Sequence, residues 1–584
     1  MNQSIDVVDL ISTLLDNEKY KEALNVSNEE RLAASFKDNC WDLIPVILGK
    51  IQDDTIIIKP SLYGACEKLL SIVIEKSAPE EALLEFIEQI EAAKNDAQFG
   101  LILPPLQDLL KRLSLKRGRS LEWSLNSIST YIENIPIPDH HLEGKERLLM
   151  DSDPNFRRIT RVYSLLPPFY KFFINELNGS DPNVKTKQII TAFLISLLGK
   201  PLIYMDLDPE SNESSEARLS CSTIVQDICA IEKNVFKFLV YLEVCHRESK
   251  KKSTKDDNDD EKSPYEHREK INMTTLSGLF YTVLSGHFEV PETAIPQVYS
   301  IDYVLHTVML SLVHLLSFAE YGPLAKAIAL CEVILKRFPN QLSQDHLSSS
   351  VHFDMCKGLA NVAIYSSYES LRKRSVALIG CHVNKFDYKG RCALIKYLIE
   401  VSNHSGMIGY AITLYKSSIN EAFKEPRMDD CFTGPQLSNM LKKICFLPHG
   451  AESDLVELAD QIITSLNFLR YLTIKDTENL TGIRDCFAFL ETSYLEQLRV
   501  GLNMSKAHYE VKLKDIEEGK NQPEEKLNVS LNVGGNVLDN IPKENQKEII
   551  CSALNAFHLI EGLIARLSEC INVNKMQGLK MNCD

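Results

Sequence analysis

The chain has 584 residues, with 64 Lys plus Arg against 80 Asp plus Glu and a formal net charge of −16. That acidic balance argues against a general nucleic-acid binder, which offers the phosphate backbone a basic surface, and 44% apolar residues beside 24 Gly and 23 Pro argue against a disordered or collagen-like chain. Fifteen cysteines stand singly, without a Cys-x-x-Cys pair, which points away from a disulfide framework or zinc ribbon and toward reduced thiols in a cytoplasmic or nuclear protein.

The start, Met1-Asn2-Gln3-Ser4-Ile5-Asp6, has neither basic residues nor a sustained apolar run, so no secretory signal is read there. Apolar residues recur at helical spacing over 7–15, 41–51, 62–74, 81–92, 102–113 and 121–132, and each stretch predicts a helix with one face to bury. Pro136-Ile137-Pro138 ends the last of these, because a residue before proline is driven out of the α region. Asp139-His140-His141 follows. Three ligand-type residues in a row do not converge on one ion, and an exposed loop is expected.

Residues 158–198 resume the pattern with a stripe of Tyr163, Leu166, Phe169, Phe172 and Phe173. The acidic, Ser-rich stretch 206–216 and the run 249–269, where Lys250-Lys251-Lys252 precedes Asp256-Asp257-Asn258-Asp259-Asp260-Glu261, hold too little apolar surface to offset their ordering entropy. Both are expected as mobile loops. Further helices are predicted over 224–244, 276–284, 301–318, 325–338 and 351–365. The stretch 303–319 is the most membrane-like, but His306, His314 and Glu320 make a buried helix the better reading.

Residues 371–386, 392–401 and 407–423 form an armadillo-like three-helix pattern. Gly434-Pro435 then opens a helix with Leu437, Met440, Leu441, Ile444 and Cys445 on one side, proline losing nothing at the first helical position. Leu447-Pro448-His449-Gly450 stops it. A second helix is expected from Ser453, with Leu455, Leu458, Ala459, Ile462, Leu466 and Leu469 as its stripe, and a third runs from Ile483 through Phe487, Leu490, Tyr494 and Leu498. Residues 512–547 are polar, carry Gly534-Gly535 and Pro542, and read as a disordered insertion; 549–567 predicts a closing helix.

These elements add up to an all-α chain, an elongated HEAT- or armadillo-like helical repeat array (α-solenoid) with loop insertions, divided into regions 1–272 and 273–584. Residues 361–510 hold 17 Lys plus Arg and 17 Asp plus Glu. A locally neutral, mixed-charge block of this kind suits protein docking. No phosphate-binding loop, dinucleotide fingerprint, nucleophile elbow or His-Glu-x-x-His motif occurs, so no enzyme activity, cofactor or metal is expected. Ser402-Asn403-His404-Ser405-Gly406 has the residue types of nucleophile and base, yet neighbours at a helix end rarely face one another, and an inter-helix turn is expected.

That phrase, together with Cys431-Phe432-Thr433-Gly434-Pro435-Gln436-Leu437, Phe446-Leu447-Pro448-His449-Gly450-Ala451-Glu452, Leu466-Asn467-Phe468-Leu469-Arg470-Tyr471-Leu472-Thr473-Ile474-Lys475-Asp476 and Gly501-Leu502-Asn503-Met504-Ser505-Lys506-Ala507-His508-Tyr509-Glu510, strongly resembles the glomulin family. The likeness is close over the last third and looser at Asn134-Ile135-Pro136-Ile137-Pro138 and Lys200-Pro201-Leu202. The resemblance implies a non-catalytic protein of HEAT-like repeats that binds the RING-box subunit of cullin-RING ubiquitin ligases and occludes the ubiquitin-conjugating enzyme, with an FK506-binding immunophilin as a further partner. The alternative is an adaptor that gathers partners along its repeats without inhibiting a ligase. No nucleic-acid or membrane partner is expected. Candidate contacts are polar and aromatic residues in or beside the matching phrases: Thr433 and Gln436; Asn467, Arg470, Tyr471 and Lys475; Lys506, His508 and Tyr509. Arg and Tyr combine large contact area with directional hydrogen bonds. Asp429-Asp430-Cys431 stands where the resemblance leads one to expect basic and aromatic residues.

Overall fold

A computed structural model describes residues 6–113, 117–139, 141–177, 184–209, 215–250, 271–518, 531–533, 536–538 and 543–581. The all-α helical repeat class holds: helix follows helix through each of two compact units, Met1–Leu330 and Cys331–Asp584. Among the described residues, extended pairing is confined to the hairpin of Leu531–Val533 with Asn536–Leu538 and a bridge between Leu342 and Phe386.

In the N-terminal unit, Pro60–Lys76 packs on Asp96–Arg112, and Pro79–Ala92 packs on both Asp96–Arg112 and Arg117–Glu133. Pro60 and Pro79 occupy first turns, where the missing N–H leaves no bond unmade. Two helices carry proline pairs inside: Pro104-Pro105 in Asp96–Arg112 and Pro167-Pro168 in Pro154–Leu177. Interior proline breaks the helical hydrogen-bond ladder. These two helices pack together, and the Gln107 amide donates to the carbonyls of Pro168 at 2.9 Å and Phe169 at 2.7 Å.

Whole charges are buried here. Asp96, 3% exposed, accepts from the Tyr131 hydroxyl at 2.8 Å, Arg158 Nε at 2.9 Å and Arg161 at 2.5 Å. Lys326 is buried and donates to the carbonyls of Ile203 at 2.8 Å, Met205 at 2.5 Å and Gly322 at 3.4 Å.

Several expectations are corrected. The loop expected to be mobile over 206–216 is anchored at both described ends: Asp206 is buried against Arg147 at 2.9 Å, and Leu207 and Ser215 are buried too. Residues 210–214 lie outside the described ones, as do 251–269 of the second loop; 249–250 end the helix Leu239–Lys250. The helix expected over 224–244 is interrupted after Ile231, where buried Glu232 takes Lys187 at 3.6 Å and Lys237 as partners. His141 is half-buried rather than exposed, stacked on Tyr321 with ring centroids 3.5 Å apart; His140 lies outside the described residues.

The polar insertion is also reduced. Residues 512–517 continue the helix Glu496–Glu517, and 543–547 begin Lys543–Met581. Between them, Leu531–Val533 pairs with Asn536–Leu538; in the sequence these β-favouring segments flank Gly534-Gly535, which is a hairpin signal. Among the described residues, the one helix long and apolar enough to cross a membrane by length and composition is Gln546–Asn574, not 303–319. It buries Ile550, Ala553, Phe557, Ile560, Ile564 and Leu567 while exposing Glu548, Glu561, Arg566 and Glu569, the pattern of an amphipathic helix packed on a core.

Candidate docking surface

The C-terminal unit positions all nine candidate contacts on three packed segments. Ala459–Lys475 lies between Ser405–Ala422 and Lys543–Met581, and the latter also packs on Glu496–Glu517. Gly409 brings the first pair close, since a Cβ there would stand 3.1 Å from Thr464 Oγ1 and 3.3 Å from the Asp460 carbonyl. Behind them, Tyr415 contacts Phe432 and Phe468, each with centroids 5.6 Å apart, and Ser465 shares a 2.6 Å hydrogen bond with the Tyr494 hydroxyl. The second helix begins at Ala459, not Ser453; Asp454 first accepts from the N–H groups of Val456 and Glu457, making a turn that still buries Leu455.

Thr433 and Gln436 stand where expected, at the mouth of Gly434–Ile444 with proline in its first turn. Thr433 Oγ1 donates to the Asp430 carbonyl at 3.2 Å, closing the turn, while Gln436 is exposed. Gly434 has φ +51° and donates its N–H to the Thr481 carbonyl at 3.0 Å. That docks the loop after the second helix onto the start of the first. The loop is held by buried Asp476, which accepts from Leu480 N–H at 2.7 Å, Thr481 N–H at 2.9 Å and Thr481 Oγ1 at 2.6 Å.

Asn467, Arg470, Tyr471 and Lys475 recur at helical spacing on the outward side of Ala459–Lys475. Asn467 and Lys475 are exposed, and Lys475 lies in the last turn, where a cation complements the helix dipole. Tyr471 is tied sideways: its hydroxyl donates to Asn420 at 2.8 Å, Lys416 Nζ stands 5.0 Å from its ring centre, and partial burial raises its pKa above the ordinary value. Arg470 is half-buried, with its Nε lacking a hydrogen-bond partner.

The third group divides by helical phase. Lys506 pairs with Glu561 at 2.5 Å and the Tyr509 ring meets Phe557 edge-on at 5.4 Å, so both face Lys543–Met581. His508 is exposed. The opposite side of the same helix exposes Val500 (51%), Met504 (54%) and Val511 (60%), with Ala507 between them. Spacings of 4, 3 and 4 residues keep these four within a narrow arc. Sequence reasoning chose by residue type and missed this stripe, although its spacing was readable beside the inward one of buried Leu498 and Leu502 and half-buried Tyr509. Gly501 lets the helix approach residues 450–452: a Cβ there would meet the Ala451 carbonyl at 2.7 Å. No described hydrogen bond, ion pair or ring contact joins one of the three groups to another.

The turn 402–404 carries no catalytic arrangement. The Ser405 hydroxyl accepts from the Gln461 N–H at 2.9 Å, and His404 Nδ1 accepts from the Met407 N–H at 3.3 Å as a helix cap. Both polar groups are committed to holding helices.

The sequence profile of a family described as "Uncharacterised protein family, YAP/Alf4/glomulin" matches residues 36–541. Glomulin of Homo sapiens is 30% identical over 559 residues, covering 94% of this chain and 90% of that protein. Glomulin of Mus musculus is 28% identical over 564 residues, with the same coverage. The likeness thus extends well beyond the last third, into the N-terminal unit.

Proposed function

The chain belongs to the YAP/Alf4/glomulin family, and from that premise we propose that it is a non-catalytic inhibitor of cullin-RING ubiquitin ligases. Its C-terminal repeats dock on the RING domain of the RING-box subunit and cover the site of the ubiquitin-conjugating enzyme. The observation that carries this reading is the exposed stripe of Val500, Met504, Ala507 and Val511, which lies across one of the phrases bearing the glomulin resemblance. Its polar neighbours Asn503 and His508 are exposed. An apolar centre with a polar rim is the anatomy of a protein interface, and roughly 800 Å² per partner is enough to occlude a small domain.

In this mechanism the helix is held rigidly from behind by Phe557 and Glu561, so docking orders little that is not already ordered. Inhibition is steric: the cullin stays assembled, no bond in the ligase is made or broken, and any zinc belongs to the partner's RING. A pull-down of the RING-box subunit with the full chain, followed by a ubiquitin-chain assay, tests it. Binding with chain synthesis falling in proportion to the protein added is expected. Binding with undiminished synthesis favours the adaptor alternative, and absence of binding overturns the inhibitor reading.

A further inference from the structure

We propose that Cys392 and Cys431 form a thiol pair that closes to a disulfide on reaction with a small-molecule disulfide, clamping the turn before Gly434–Ile444 to the helix Tyr388–Val401. This inference does not depend on the docking partner. Cys392 lies on that helix and Cys431 in the turn Asp430–Phe432. Phe432 pins the two together: it is fully buried, with its ring 5.4 Å from Tyr388 and 5.6 Å from Tyr415. Cys392 stands one helical turn on from Tyr388, and Cys431 immediately precedes Phe432, so the contact of Phe432 with Tyr388 brings the two thiols to one junction between helix and turn. Both thiols also bear on buried Tyr415, whose hydroxyl has no hydrogen-bond partner. Asp429 fixes the turn from the other side, accepting from the Cys431 N–H at 3.0 Å.

Access separates this pair from the other neighbouring thiols. Cys331 with Cys356 and Cys445 with Cys486 are buried on both sides, where an oxidant does not reach. Cys392 and Cys431 are both half-exposed. Disulfide closure needs thiols carried close together on elements that hold still, and the Phe432 contacts hold the turn of Cys431 against the helix of Cys392.

The chemistry balances with glutathione disulfide as oxidant. The Cys392 thiolate attacks one of its sulfurs, the S–S bond breaks, and the first glutathione leaves as thiolate and takes up a proton. Cys431 then gives its proton to solvent and attacks the Cys392 sulfur, expelling the second glutathione. Two protein thiols are oxidised to one disulfide, and one small disulfide is reduced to two thiols. The Cys431 thiol holds its proton well above the ordinary range, because of its contact with Cys392 first, then burial and Asp429. The second step needs the Cys431 thiolate, so closure accelerates as the solution is made more alkaline.

The test uses the full chain, treated with glutathione disulfide under native conditions, blocked with N-ethylmaleimide and digested with trypsin without reduction. The expected product is one species joining peptide 392–396 to peptide 428–442, lighter by two hydrogens than the sum. In Cys392→Ser that species is lost. In Cys431→Ser it is replaced by glutathione held on Cys392. Circular dichroism matching the parent shows that both variants fold. Recovery of both peptides fully alkylated while exposed Cys381 carries glutathione would overturn the proposal, as would a cross-link that forms only in denaturant.

Discussion

The two units bury polarity in different currencies. In Met1–Leu330 whole charges go inside: Asp96 under two arginines, Lys326 under three carbonyls, Glu232 against two lysines. In Cys331–Asp584, buried Asp476 apart, the inner polar contacts are mostly neutral. His352 meets His382 at 3.0 Å, Cys356 meets His382 at 3.2 Å, and Ser465 meets Tyr494. A buried charge fixes geometry sharply but costs heavily once its partner is lost, whereas a neutral hydrogen bond contributes about 1 kcal/mol net. The lesson is a division of labour within one fold class. The first unit spends charge on holding its helices, while the second leaves a charge-balanced surface outside, with an apolar stripe on one helix.

The largest effect that sharpens this contrast is expected from Asp96→Ala, which strands Tyr131 and Arg158 in a buried site. Urea denaturation should show a loss of about 3–5 kcal/mol. Next, Met504→Asp should weaken RING-box binding by about 2 kcal/mol, read by calorimetry, with an unchanged melting temperature. Lys506→Ala, on the inward side, should leave binding almost intact. Ser465→Ala, which strands only the neutral Tyr494 hydroxyl, should cost less than Asp96→Ala, about 1–3 kcal/mol of stability. An Asp96→Ala loss no larger than that of Ser465→Ala would break the comparison.

The pH dependence gives the smallest and broadest signal. Burial first, and His352 second, push the His382 imidazole well below its ordinary 6.5. The unfolded chain therefore binds a proton there that the folded chain refuses, and stability is complete above pH 6.5 and falls as the solution is acidified. At the alkaline end, burial lifts Cys66, Cys221 and Cys356 to about 12 and Cys40 and Cys229 to about 11, against an ordinary 9.0. Unfolded thiols release protons that folded ones keep, so stability is lost as pH rises above 9. Lys326, lowered to about 8 by burial, acts in the opposite sense, as one group against five. Denaturation midpoints should plateau between these limits, and His382→Phe should flatten part of the acid limb. A midpoint still rising above pH 9 would contradict this assignment.

Most of the helices were legible because each must bury a stripe, and that stripe is periodic: Ile483, Phe487, Leu490, Tyr494 and Leu498 are all buried as spaced, even though a π turn, Glu491–Leu495, interrupts the run. Contacts far apart in sequence were not legible. Nothing local to Asp96 announces Arg158, and nothing near Lys326 announces the carbonyls of Ile203 and Met205. The pairing of Leu531–Val533 with Asn536–Leu538 was legible and was outweighed by the polarity around it. The docking residues were half legible. Residue type singled out His508 and Asn467, which are exposed, but also Lys506 and Tyr509, which helical phase turns toward Phe557 and Glu561. The same phase places Met504 outward.

Occlusion by that outward face is tested most directly by an equilibrium competition. A labelled ubiquitin-conjugating enzyme is bound to the RING-box subunit and titrated with the full chain. Occlusion predicts complete displacement, with the enzyme's apparent Kd rising linearly with the concentration of this protein and Met504→Asp shifting the titration to higher concentration. A stable ternary complex, with both proteins bound to one RING-box subunit at undiminished affinity, would contradict it.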